Sequence, residues 1–245
     1  MNLEHYFDAI YYSMNAAVFL LLAAAVGRGI VLTRRPGIAS DIEHGRGTVF
    51  AGAGTMVALA GGLMADALLK TSVWFQQVRF GLYFLGFALI MVGTCTILRG
   101  SEREGIGFLS HIRRILLPLF ALTVIISGFF LSAPETFIHN SNNQQIQLAV
   151  YWLPLLLPTA VGSIALFSAA ALSRSEGRRR TILVGAFESL LFLGLLRESG
   201  ILQDLGDPLI NLLVSFVPFM LAALFLFAGT FPRRQRQRQE HNTGL

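Results

Sequence analysis

Long apolar runs, broken by short polar loops rich in arginine, dominate the chain. A helix needs ~20 mostly apolar residues to cross ~30 Å of hydrocarbon. Seven stretches approach or meet that length: Phe7 to Leu32, Thr48 to Leu69, Phe80 to Leu98, Ile115 to Ser132, Leu148 to Leu172, Thr181 to Leu196 and Pro208 to Phe231. The sixth is the shortest and contains an acid. The pattern predicts an all-α, polytopic membrane protein, a single bundle of seven transmembrane helices over residues 1–232. A basic tail, residues 233–245, follows it. The loops are too short for a separate soluble domain, so any function belongs to the bundle or its rims.

Composition supports this class. Of 245 residues, 54% are hydrophobic and 13% charged, where a soluble domain carries about a quarter charged. The mean hydropathy is +0.62. A lone cysteine, Cys95, excludes an internal disulfide framework. The net charge of +5 sits on too apolar a chain for disorder or for a nucleic-acid partner.

Charge also predicts orientation. Arg28, Arg34, Arg35 and Arg46 surround the first loop, Arg99, Arg103, Arg113 and Arg114 the third, and Arg174, Arg178, Arg179 and Arg180 the fifth. The tail adds Arg233, Arg234, Arg236 and Arg238. The opposite side has Lys70, Arg79 and Arg197 among a larger number of acids. The N-terminus is therefore expected outside and the C-terminus in the cytoplasm, in the cell membrane. Glu4 and Asp8 stand where a cleavable signal would carry basic residues, so the first span is expected to be retained. Tyr6, Tyr11, Tyr12, Trp74, Tyr83, Tyr151 and Trp152 fall near the predicted outer ends, where amphipathic rings favour the headgroup layer. The inner arginines predict contact with anionic lipids at the cytoplasmic face.

Within the spans, Gly54, Ala58 and Gly62 recur every four residues on the second helix. Such a face lets helix backbones approach, within the chain or with a partner protein or a second copy. Asp66 and Lys70 continue that face as an expected structural ion pair. Prolines at 118, 154, 158 and 218 predict bent helices. Asp207 and Pro208 predict the start of the last helix.

The candidate chemistry centres on Glu188, about eight residues, or roughly 12 Å at ~1.5 Å per residue, from Arg180. A charged acid at a helix centre costs ~2.5–3.5 kcal/mol on insertion scales, so it is expected to be paired or protonated. Arg28, Thr55 and Asn15 are its expected neighbours, and the four together form a candidate ligand or proton site. No other catalytic or metal constellation is visible. The five histidines lie outside the deep parts of the spans, which argues against haem held by two histidines. No HExxH, GxSxG or paired-cysteine spacing occurs.

Seven spans with the N-terminus outside resemble the rhodopsins in topology. Microbial rhodopsins hold retinal through a lysine in the last helix, and the stretch from Pro208 to Phe231 has none, so a retinal Schiff base is not expected. The SWEET sugar transporters resemble it in span number, but their first helix carries a proline that is missing between Phe7 and Leu32. Three function classes remain. The first is a non-catalytic subunit or sensor-like module acting through a partner. The second is a small-solute or proton-linked transporter using Glu188. The third is a lipid-modifying enzyme using the inner arginines.

Overall fold

The computed structural model describes residues 3–34, 39–67, 73–102, 108–131, 152–173, 177–199 and 208–231. Each of these segments is helical. The helices are α1 (Leu3–Thr33), α2 (Ala39–Ala67), α3 (Val73–Glu102), α4 (Phe108–Leu131), α5 (Leu153–Leu172), α6 (Gly177–Glu198) and α7 (Pro208–Gly229). Among the described residues, three helical stretches are long and apolar enough to cross a membrane: Asp8–Thr33, Gly81–Glu102 and Leu153–Leu172. A shorter apolar stretch of α7 runs over Phe216–Gly229.

Most helices outrun the apolar stretches that announce them. α2 begins at Ala39, nine residues before Thr48, and α4 at Phe108, seven before Ile115. Intrahelical hydrogen bonding continues into polar residues, so hydropathy marks where lipid can lie rather than where a helix ends. Pro118, Pro158 and Pro218 lie inside helices as expected. Pro154 does not: α5 starts at Leu153, so it occupies the first turn, where a missing donor is harmless.

The helices pack in chain order around a ring, α1 beside α2 and so on to α7, which returns to α1. α3 also reaches α5 across the ring. One core cluster runs through the interior, including Leu22, Ile90, Leu155, Phe187 and Leu226. The outer surface is apolar as well: Leu20 is 72%, Ile125 69% and Ile164 65% exposed. An apolar exterior around a packed core is costly in water and suits lipid.

Glycine sets the closest contacts. A Cβ built on Gly45 would stand 2.8 Å from the Gly29 carbonyl oxygen, and one on Gly93 2.6 Å from that of Gly47. Gly54 and Gly86 face each other in the same reciprocal way. Gly47 and Gly54 on α2 thus meet Gly93 and Gly86 on antiparallel α3 at a seven-residue interval, and Gly61 extends the series beside Arg79. That interval keeps one seam facing its partner along a shallow crossing. The expected Gly54/Ala58/Gly62 stripe is accordingly divided. Gly54 and Ala58 are filled by α3 of the same chain, not held open for a partner, because both backbones carry glycine at matching heights. Gly62 opens elsewhere, toward the Tyr83 hydroxyl, at 3.0 Å from its built Cβ.

Candidate functional site: a central pocket and a buried carboxyl

With the start of α1 taken as the upper end, a cavity of about 90 Å3 lies in the upper half of the ring. At ~10–15 Å3 for one water, it has room for several waters or a small organic solute. Its walls come from α1, α2, α3, α6 and α7, with Trp152 closing the α5 side. Most of the lining is apolar or aromatic.

A few polar groups converge on it. Asn15, on α1, donates one amide hydrogen to the Tyr11 carbonyl at 3.0 Å, which leaves its amide oxygen for another donor. Thr55, on α2, donates to the Ala51 carbonyl at 2.8 Å and retains acceptor capacity. Arg79, on α3, lies over the Tyr83 ring at 5.6 Å, a cation–π arrangement. Tyr83 in turn leans on Trp152, with ring centroids 6.3 Å apart. Tyr11 meets Phe216 edge to face at 5.3 Å, joining α1 to α7.

Glu188 lies just beneath. It is on α6, three residues before Leu191, which lines the pocket, and is completely buried. Thr94 on α3, four residues after the pocket residue Ile90, hydrogen-bonds Glu188 Oε1. The same threonine hydroxyl lies 3.1 Å from the Ile90 carbonyl. Among the described residues Glu188 Oε2 has no hydrogen-bond partner. It rests against Gly162 of α5, where a Cβ would overlap it. One residue on, Ser163 pairs with Ser189 of α6 at 2.5 Å, and Ser189 donates to the Gly185 carbonyl at 3.0 Å.

The expected neighbours of Glu188 are thus rearranged. Asn15 and Thr55 line the pocket above it but bond to their own helices. Arg28 does not reach the carboxyl: its guanidinium sits 4.8 Å from the Phe231 ring centroid, near the lower end. α1 and α6 are separated by α7 in the ring, so the stem points to the neighbouring helix instead. Of the expected Asp66–Lys70 pair, Lys70 and the Asp66 side chain lie outside the described residues, as does the tail.

Thr94 and Gly162 belong to the site without having been singled out in the sequence, and Arg79 and Tyr83 were expected only as an outer-side charge and a headgroup-level ring. Gly162 is the one glycine in an otherwise bulkier α5. Nothing in the local sequence pairs Thr94 with a residue 94 positions away.

At the lower rim, polar contacts tie helices together. Asp41 of α2 pairs with Arg180 of α6, and His44 bonds Thr181 at 3.1 Å. Glu102 holds Arg113 through two bonds, at 2.8 and 3.2 Å. By that bonding and its charge Glu102 raises the guanidinium pKa above its ordinary value. Cys95 is buried and free. Among the described residues no group of three His, Cys, Asp or Glu side chains is placed to hold a metal ion. Comparisons with protein-family models, curated proteins and solved structures give no match.

Proposed function

We propose that this chain is a multi-pass protein of the cell membrane. It would cross seven times, N-terminus outside, and bind a small, largely apolar solute in the central pocket as a non-catalytic, sensor-like module. The observation that carries this reading is the pocket itself, an aromatic-walled cavity with a few convergent polar groups, built by helices distant in sequence. The apolar exterior and the three membrane-length helices support the setting. Exposed Arg34, Arg46, Arg99, Arg114, Arg178 and Arg179 share the lower end and would contact anionic headgroups there.

α2 and α6 both line the pocket and are tied at the lower rim by Asp41–Arg180 and His44–Thr181. A solute that shifts either helix would therefore shift the rim, where a partner would read it. Native mass spectrometry of gently extracted protein tests the binding claim. A small molecule retained by the wild type and lost in Gly62→Leu, which fills the pocket beside Tyr83, is the expected result. A wild type that carries no solute, and whose melting temperature no small solute raises, overturns the reading.

A second reading, a proton-linked carrier, is favoured by the acid beneath the pocket. Solute uptake into proteoliposomes, driven by a pH gradient and abolished in Glu188→Gln, would select it. No observation favours a lipid-modifying enzyme, and two of the arginines it would need, Arg113 and Arg180, already bind acids of the chain.

A further inference from the structure

The Thr94 hydroxyl carries one proton, yet two oxygens that ordinarily accept lie within bonding reach of it. One is the Ile90 carbonyl at 3.1 Å, the i−4 partner that threonine commonly takes in a helix. The other is Glu188 Oε1. A carbonyl oxygen cannot donate. If the hydroxyl gives its proton to Ile90 alone rather than sharing it between the two oxygens, the second contact is a hydrogen bond only when the carboxyl supplies the proton.

The rest of the environment favours the same assignment. Glu188 Oε2 is buried against Gly162, without a hydrogen-bond partner among the described residues. As the carbonyl oxygen of a neutral acid, a bare Oε2 forfeits one weak acceptor bond. As half of a carboxylate it would be an unsolvated charge, far costlier in a low-dielectric interior. Among the described residues no cation pairs with that charge. α5 and α7 contain no ionisable residue. α3 sets Thr94 against Glu188 and follows it with the buried thiol of Cys95, while its charged residues Arg79, Arg99 and Glu102 lie more than one turn from Thr94 along the helix. The charged groups of α2 whose side chains are described, Asp41, Glu43, His44 and Arg46, cluster in its first two turns at the lower end. On α6 itself, Arg178, Arg179 and Arg180 lie two or more turns below Glu188, and Arg197 and Glu198 two or more turns above.

We propose that Glu188 is a proton-binding site, its neutral carboxyl donating to Thr94 and Thr94 donating to the Ile90 carbonyl, and that solute in the pocket holds the proton there. The coupling half rests on the proposed solute-binding function; the proton site itself does not. Its physical basis is distance. Ile90 and Leu191 line the pocket and stand about one turn, ~5.4 Å, from Thr94 and Glu188 along their helices. Water in the pocket would stand about one turn from an ionised Glu188. A solute that expels that water disfavours the carboxylate and favours the acid. By linkage, the acid then favours the solute.

Infrared difference spectroscopy on the full-length protein reads the proton directly. At neutral pH, wild type minus Glu188→Gln is expected to show the C=O stretch of a protonated carboxylic acid. In Thr94→Val that band is expected to move to higher wavenumber, because the bond the acid donates is gone. Carboxylate bands alone in the difference overturn the proton site, and if Glu188→Gln fails to fold, the Thr94→Val shift decides. For coupling, phenol is the probe, followed by its effect on melting temperature with Gly62→Leu as the filled-pocket control. Phenol affinity is expected to fall with rising pH in the wild type, by up to about tenfold per unit for one linked proton, and to be pH-independent in Glu188→Gln. Affinity equal at all pH values in the wild type overturns the coupling. Absence of phenol binding counts against the solute pocket and leaves the carboxyl band to judge the proton site.

Discussion

Gly162 shows how one missing methyl group makes room for a functional atom. Its Cα faces Glu188 Oε2, and any side chain there would displace the carboxyl from Thr94. Gly162→Ala should therefore destabilise the protein despite the better helix propensity of alanine, by ~1–3 kcal/mol as overpacking of a tight interior does. Adding Glu188→Ala should recover part of that loss, because the overlap disappears. Unfolding midpoints in detergent for the two single variants and the double variant form the cycle that checks it; strict additivity would sever the link. Cys95 gives a second residue-scale expectation. Buried in the interior, its thiol should resist a membrane-permeant maleimide in the folded protein and react after unfolding. Glu188 could be recognised from sequence, since an acid inside an apolar run has few innocent explanations. Thr94 could not, because a threonine in such a run is ordinary.

At the scale of elements, the α2–α3 seam depends on backbones in contact. Gly54→Leu or Gly86→Leu would force the helices apart, since each built Cβ falls on the facing glycine's backbone. Either should cost several degrees of melting temperature or unfold the protein. Gly81→Ala is the control: nothing lies within 4 Å of its Cβ, so it should be neutral or stabilising by up to ~1 kcal/mol. Thermal melts of the three variants separate seam packing from loss of glycine as such. The seven-residue spacing of Gly47, Gly54 and Gly61, echoed by Gly86 and Gly93, is visible in the sequence. The four-residue stripe through Gly54, Ala58 and Gly62 is equally visible. Periodicity alone does not select between them, because both place small residues on overlapping faces of one helix.

At the scale of the whole molecule, the proposed topology makes opposite ends differ in access. In a Cys95→Ser background, Asn2→Cys should react with an impermeant thiol reagent added outside intact cells, and Gln237→Cys only after lysis. Labelling of both positions from one side would rule out an odd number of spans. The same alternation sets the aromatic-walled pocket at the end bearing Tyr11 and Trp152, and the exposed arginines at the other.

Much of this architecture follows from local chemistry that needs no partner. Apolar length predicts helices, and the regular loops between apolar runs predict how many elements there are. Glu188 stands out because charge in an apolar run is costly wherever the helix packs. What the sequence could not settle was which side chains meet. Asn15 and Thr55 proved to belong to a pocket rather than to the carboxyl, Arg28 to Phe231, and Gly54 to Gly86. Those pairings depend on which helices are neighbours, their relative height and their rotation about their own axes. These are set by packing across the whole bundle, where a sub-ångström fit between distant segments outweighs any local preference.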